Sequence, residues 1–169
     1  MKIRPAQPSD IEQIMCIITD AQLFLRDCGV DQWQDGYPTI EIIEADIEQG
    51  YLYVAENNSA EVLACAAISF DGEPTYNIIH NGEWPNDEPY AVIHRMAIRA
   101  TMRGKGVAKA IFGFAEELCR ERDIQNIRVD THADNRVMQH TLSRLGYNRT
   151  GEITLTSGAP RTAYIKILD

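Results

Sequence analysis

Apolar residues recur along the chain with two different periods, and the switches between them mark out the elements. Residues 2–5 read as a short strand. Ile11, Ile14, Met15 and Ile18 then fall on one helical face that continues toward Leu25, and Ser9-Asp10-Ile11-Glu12 has the form of a capping box at its start. Gly29 ends this helix, and Thr39 opens a second one carrying Ile40, Ile43 and Ile47 and closed by Gly50. Residues 51–56 and 61–70 read as a hairpin around Asn57-Asn58-Ser59-Ala60. Residues 90–98 form a strand, and a helix from about 106 to 122 follows with Val107, Ile111, Ala115 and Leu118 inward. A strand at 126–131 leads to a helix capped by Asn135, whose buried face is Met138, Leu142 and Leu145 and which stops at Gly146. A last hairpin, 147–156 and 162–168, turns at Ser157-Gly158-Ala159-Pro160. The order β-α-α-β-β-β-α-β-α-β-β predicts a mixed α/β (α+β) fold, one domain over residues 1–169, with helices on both faces of a sheet.

Composition narrows the class. A chain of 169 residues with 44% hydrophobic and 24% charged residues is long enough to bury a core without staples. Its net charge of −9 argues against general binding to nucleic acid or to an anionic membrane. No stretch approaches a membrane span, and Met-Lys-Ile-Arg-Pro is not followed by an apolar signal core. Cys16, Cys28, Cys65 and Cys119 form no CxxC pair, and Cys16, Cys65 and Cys119 sit within apolar patterns. Reduced thiols in a cytoplasmic protein are the expectation. No HExxH or similar spacing suggests a metal. The stretch from Asp71 to Pro89 has little periodicity and much Gly, Pro, Asn and acid, the mark of a long and often functional loop.

Chemistry concentrates in one turn. Arg103-Gly104-Lys105-Gly106-Val107-Ala108 lies between a strand and a helix, where unpaired amides, the positive end of the helix dipole and glycines that allow close approach together suit a phosphate. No Asp or Glu falls between Pro89 and Ala115, whereas Arg95, Arg99, Arg103, Lys105 and Lys109 do. The turn lacks the Gly-Lys-Ser/Thr of a P-loop, and Lys109 stands where a dinucleotide fingerprint has its third glycine. What it has is Arg-x-x-Gly-x-Ala.

That pattern resembles the acetyl-CoA signature Gln/Arg-x-x-Gly-x-Gly/Ala of the GNAT acetyltransferase superfamily. The likeness extends over nearly the whole chain. Val92-Ile93-His94-Arg95-Met96-Ala97-Ile98 is similar to the family's fourth strand, and Asn135 through Leu142 to Gly146-Tyr147 is similar to its Asn…Leu…Gly-Phe helix and following strand. The resemblance implies a mostly antiparallel sheet of about seven strands, with splayed fourth and fifth strands and four helices. It implies an acetyl-CoA-dependent N-acetyltransferase in which a primary amine attacks directly while both substrates are bound. The amides of Arg103, Gly104, Lys105, Gly106, Val107 and Ala108 would hold the pyrophosphate of CoA. Met96 and Ile98 would pair with the pantetheine, and an amide near Ala97 would polarise the thioester carbonyl. Asn135 would cap its helix and reach the pantetheine or the acetyl end.

The amine must lose a proton before it attacks, so a base is wanted. His94 is the first candidate, and arylalkylamine acetyltransferases of the same superfamily carry a histidine at the similar place; the other reading is a hydrogen-bonded core histidine. His132, just past the fifth predicted strand, is the second candidate. Many members place a tyrosine seven residues after the helix asparagine, to protonate the leaving thiolate, and here that residue is Leu142. Its absence keeps a second function open, a non-catalytic or weakly catalytic acyl-CoA-binding sensor. On the acceptor side Trp33, Tyr37 and Trp84, interleaved with Asp31, Asp35, Glu83, Asp87 and Glu88, would hold an ammonium group or else plug the core from solvated loops. The expected partners are a small-molecule or peptide amine and a second copy of the chain in a homodimer, with no nucleic acid and no membrane.

Overall fold

The structure, a computed structural model, describes residues 1–169. Strands β1 (Lys2–Pro5), β2 (Leu52–Glu56), β3 (Val62–Ser69), β4 (Tyr90–Ile98), β5 (Asn126–Thr131), β6 (Asn148–Thr154) and β7 (Pro160–Ile167) form one sheet in the order β1-β2-β3-β4-β5-β7-β6. The helices are α1 (Ile11–Asp27), α2 (Ile40–Glu48), α3 (Val107–Glu121) and α4 (Arg136–Arg144). Pairing is antiparallel between β1 and β2, β2 and β3, β5 and β7, and β6 and β7, and parallel between β4 and β5. The parallel ladder joins Tyr90, Ala91 and Val92 to Asn126, Ile127 and Arg128 and stops there, although β4 runs on to Ile98. The predicted element order, the mixed sheet and the early parting of the fourth and fifth strands are all found.

The chain divides into two compact units, Met1–Ile68 with His94–Phe114, and Ser69–Ile93 with Ala115–Asp169. In the first, Ile14, Ile17 and Ile18 of α1 and Ile43 of α2 pack on Leu52, Val54, Val62, Cys65 and Ala97 of the sheet. Ile14, Ile18 and Ile43 are residues that the 3.6-residue period singles out, and Ile17 joins them in the core. In the second, Tyr76, Val92, Ile153 and Ala163 form a cluster with Ile79, Trp84, Tyr90 and Leu155 at its margin.

Three local expectations need correction. The capping box lies two residues before Ser9: a single 3-10 turn, Pro8–Asp10, precedes the helix, and the reciprocal cap of that turn joins Gln7 with Asp10, which flanks α1. Arg4 draws Asp10 into this role by donating to both of its carboxylate oxygens, at 2.7 and 3.0 Å. Cys16 is exposed, because it lies off the α1 stripe that Ile14, Ile17 and Ile18 define. The final turn ends at Ala159, and Pro160 already pairs with Thr154. The long segment after β3 is held to β6. His80 and Glu152 exchange backbone hydrogen bonds at 2.7 and 2.8 Å, and a Cβ at Gly82 would run into the Thr150 carbonyl.

Candidate active site

The turn before α3 is built for an anion through its backbone. Gly104 and Gly106 have φ of 74° and 81°, a region that L side chains rarely adopt, and nothing lies within 4 Å of where a Cβ would stand on either. The Ala110 amide donates to the Gly106 carbonyl at 3.1 Å, so the helical ladder begins at Gly106. The first-turn amides of such a helix have no acceptor within it and point outward. Lys105 and Lys109 are exposed beside them.

The side chains of the basic stretch do something other than its sequence suggests. Arg103 points back to α1, donating to the Asp20 carbonyl at 3.1 Å with its guanidinium 4.3 Å from the Phe24 ring centroid. Arg99 donates to the Val62 carbonyl at 2.9 Å and lies 3.4 Å from Glu61. Arg95 is engaged inside the fold. Of the five cations, Lys105 and Lys109 are the ones left exposed at the turn.

β4 contains a left-handed residue, Arg95, with φ of 52°. A strand residue in this conformation marks a bulge, which breaks the ladder and re-aims the backbone beyond it. The Arg95 guanidinium donates to both Asp46 oxygens, at 2.6 and 2.8 Å, and to the Tyr37 hydroxyl at 2.9 Å. Its carbonyl accepts a long hydrogen bond of 3.8 Å from the Cys65 thiol. Burial pushes that thiol up to about 12, which keeps it a neutral donor. Met96, Ala97 and Ile98 follow the bulge directly; Ala97 is buried, and Met96 and Ile98 are half-buried. His94 precedes it, half-buried, with Nε2 closed off from solvent.

Trp33 and Tyr37 lie on the segment between α1 and α2, their ring centroids 6.4 Å apart. Gln22 of α1 donates to the Tyr37 carbonyl at 2.9 Å, and Gln34 donates to the Gln22 carbonyl at 3.1 Å, which ties the segment to the helix. Trp33 packs its margin on the first core while also lining a cleft of about 200 Å³ with Thr19, Gln22, Leu23, Arg26, Gln34 and Gly36. The charged side chain in this cleft is a cation. Asp35, expected to meet an ammonium, accepts from the Tyr37 amide at 3.2 Å instead.

In the second unit, His132 Nδ1 accepts from the Asp134 amide at 3.1 Å. Asn135 Oδ1 accepts from the Met138 amide at 3.1 Å, the cap read from the sequence. Leu142 is fully buried on α4. Trp84 donates through its indole N–H to the Tyr76 carbonyl at 2.8 Å, and Arg128 stacks on its face at 4.3 Å and on Tyr90 at 3.9 Å. Both aromatics therefore meet a cation of the chain itself. Desolvation lowers the Arg128 pKa. No group of three or more His, Cys, Asp or Glu side chains comes together.

The Arg95–Asp46 pair is the component that the sequence concealed. An arginine gives no local sign of left-handed backbone, as a glycine would, and Asp46 falls on the apolar face of a predicted helix with nothing in the chain order to name its partner.

Comparison with known proteins agrees with this geometry. Residues 18–147 match the model of the acetyltransferase (GNAT) family. A GNAT-family acetyltransferase structure from Streptococcus agalactiae superposes with a TM-score of 0.88 at 37% identity, over 99% of this chain and 95% of that one. The uncharacterized N-acetyltransferase YesJ of Bacillus subtilis is 26% identical over 87% of this chain and 81% of its own length. A streptothricin acetyltransferase from Escherichia coli is 30% identical over 59% of this chain, a stretch that spans 55% of that enzyme.

Proposed function

The chain belongs to the GNAT acetyltransferase family and is an acyltransferase; from that premise we propose that it transfers the acetyl group of acetyl-CoA to a primary amine by direct attack while both substrates are bound. The observation that carries this reading is the turn with two left-handed glycines, open above both α-carbons, at the start of α3. The amides of Arg103–Ala108 and the exposed Lys105 and Lys109 are the groups that would hold the pyrophosphate. When bound, acetyl-CoA supplies the activated thioester. The Ala97 amide, two residues past the bulge, would receive the charge that develops on the thioester oxygen.

His94 takes the acceptor's proton in this scheme, since the lone pair of His132 Nδ1 is spent on Asp134. An alkyl ammonium has a pKa of about 10, so a base is needed near neutral pH. A thiol's pKa is about 8.5, so the CoA thiolate departs without an acid, and Leu142 at the position of the usual tyrosine does not bar transfer. The partial likeness to a streptothricin acetyltransferase supports a small-molecule amine as the acceptor.

The test is acetyl-CoA-dependent release of CoA with polyamines, aminoglycosides, amino acids and peptide N-termini. Turnover of a small amine is expected. Binding of acetyl-CoA without turnover of any would favour the acyl-CoA-binding sensor. His94→Gln should lower kcat by about 10²–10⁴-fold with CoA affinity kept within a few-fold. The deficit should shrink at high pH, where more of the amine arrives deprotonated. Full activity in this variant, or a loss that follows its melting, would remove His94 from the chemistry.

A further inference from the structure

We propose that Arg95 and Asp46 form a positioning pair whose ion pair holds the β4 bulge and thereby aims the amide at Ala97 toward the acetyl carbonyl. The inference rests on the acetyl-donor reading above and goes past it, to the device that sets the geometry. Arg95 sits at φ 52°, which glycine adopts freely and arginine does not. Something must therefore hold it there. Both of its forks toward Asp46 are short, at 2.6 and 2.8 Å, and the two side chains are only 16% and 8% exposed. A paired, desolvated guanidinium keeps one geometry, because leaving its carboxylate would strand two charges away from water. The third contact, to the Tyr37 hydroxyl at 2.9 Å, fixes the remaining side of the guanidinium. The Cys65 thiol donates to the carbonyl of the left-handed residue itself. Side chain and backbone of one residue are thus held by α2, by the segment before it and by β3.

The bulge lies two residues before Ala97 and three before Ile98. A bulge of this kind changes which way every following amide points. Removing an oxyanion donor costs about 10²–10³-fold in kcat in enzymes where it has been done, and a displacement of about 1 Å costs about 10²-fold. Arg95 touches neither substrate in this scheme, so its effect is on aim and not on binding.

Two double variants separate aim from stability. Asp46→Asn with Arg95→Gly and Asp46→Asn with Arg95→Ala both delete the ion pair and leave nearly the same space. They differ in that glycine accepts the left-handed conformation and alanine resists it. The readouts are kcat on an acceptor amine, the affinity for acetyl-CoA, and the infrared carbonyl band of bound acetyl-CoA labelled with ¹³C at the carbonyl. The band needs no acceptor. In the wild-type protein it should lie below its position in a solvent that donates no hydrogen bonds, as an amide hydrogen bond requires. The glycine double variant should keep most of that shift and a kcat within about five-fold of wild type. The alanine double variant should lose the shift and about 10–100-fold in kcat, with acetyl-CoA affinity changed by no more than a few-fold. Melting curves place both variants below their transitions at the assay temperature. A wild-type band and wild-type kcat in both variants would overturn the role of the pair, and so would a loss in the alanine variant that only follows its melting temperature; a loss of the band shift in both, below their melting transitions, would mean that the pair is needed even where glycine relieves the strain. A wild-type protein that failed to bind acetyl-CoA would instead remove the reading on which the pair's role depends, and the proposal with it.

Discussion

A left-handed arginine inside a strand costs roughly 1–2 kcal/mol relative to an extended one. That cost is met by contacts from sequence positions as distant as Tyr37, Asp46 and Cys65. Arg4 shows the same reliance on long-range pairing. It donates to Asp10 at 2.7 and 3.0 Å and to Glu56 at 2.8 Å, and so ties β1 to the cap of α1 and to β2. The side-chain hydrogen bonds from Arg4 hold the Asp10 carboxyl below its usual range, against the opposing effect of burial. A carboxylate whose folded pKa is depressed adds stability that is present above its unfolded pKa of about 3.9 and is lost as pH falls through the folded value. Asp10→Asn should therefore cost about 2–3 kcal/mol at pH 7, since it leaves a part-buried arginine short of a partner. The gap between variant and wild type should narrow as pH falls below about 4. Urea titrations at pH 7 and pH 3 measure both; an equal gap at the two pH values would show that Asp10 is not held in its ionised form by the fold.

At the scale of elements, α3 is set by its two ends. Its apolar stripe, Val107, Ile111, Phe112, Ala115 and Cys119, is buried, and its start is opened by glycines whose φ values an L side chain rarely takes. Gly106→Val should leave the helix in place, because its core contacts lie further along. It should strain the turn and put methyl groups where the amides face out. The expected result is loss of at least 90% of CoA binding, read by calorimetry, with a fall in stability of about 1–2 kcal/mol. Unchanged CoA affinity would take the turn out of the site. On α4, Leu142 is fully buried, which explains why the usual tyrosine is not simply interchangeable here: added volume in a closed position costs about 1–3 kcal/mol.

For the whole molecule, a ligand that binds only the folded chain adds stability by mass action. CoA at 100 times its Kd should add about 2.7 kcal/mol. For a chain of this size that amounts to a rise in Tm of roughly 5–10 °C. NAD and ATP should raise it far less, because the turn lacks the glycine spacing and the Lys-Ser/Thr that their phosphates use. Equal shifts from all three would mean a generic phosphate site. No helix is long and apolar enough to cross a membrane.

The order of elements, much of the core and the two-glycine turn before α3 were legible from the amino-acid sequence alone. Each of these depends on neighbours within one or two turns of chain: the 3.6-residue stripe of Ile14 and Ile18, the alternation of the strands, the Asn135 cap, and Gly104 and Gly106 before an apolar run. Family resemblance added the role of the turn. The tertiary structure decided how the charges are used. Five cations in a row without an acid read as one basic patch, yet Arg95, Arg99 and Arg103 turn inward to Asp46, Val62 and Asp20, and two lysines remain at the turn. It also decided that Trp84 and Tyr90 stack on Arg128, and that a non-glycine residue of β4 is left-handed. The physical reason is common to all three. A buried guanidinium goes wherever a carboxylate, carbonyl or ring can compensate its lost hydration. Those partners lie 37 to 83 residues away along the chain, at distances that only folding brings within hydrogen-bond reach.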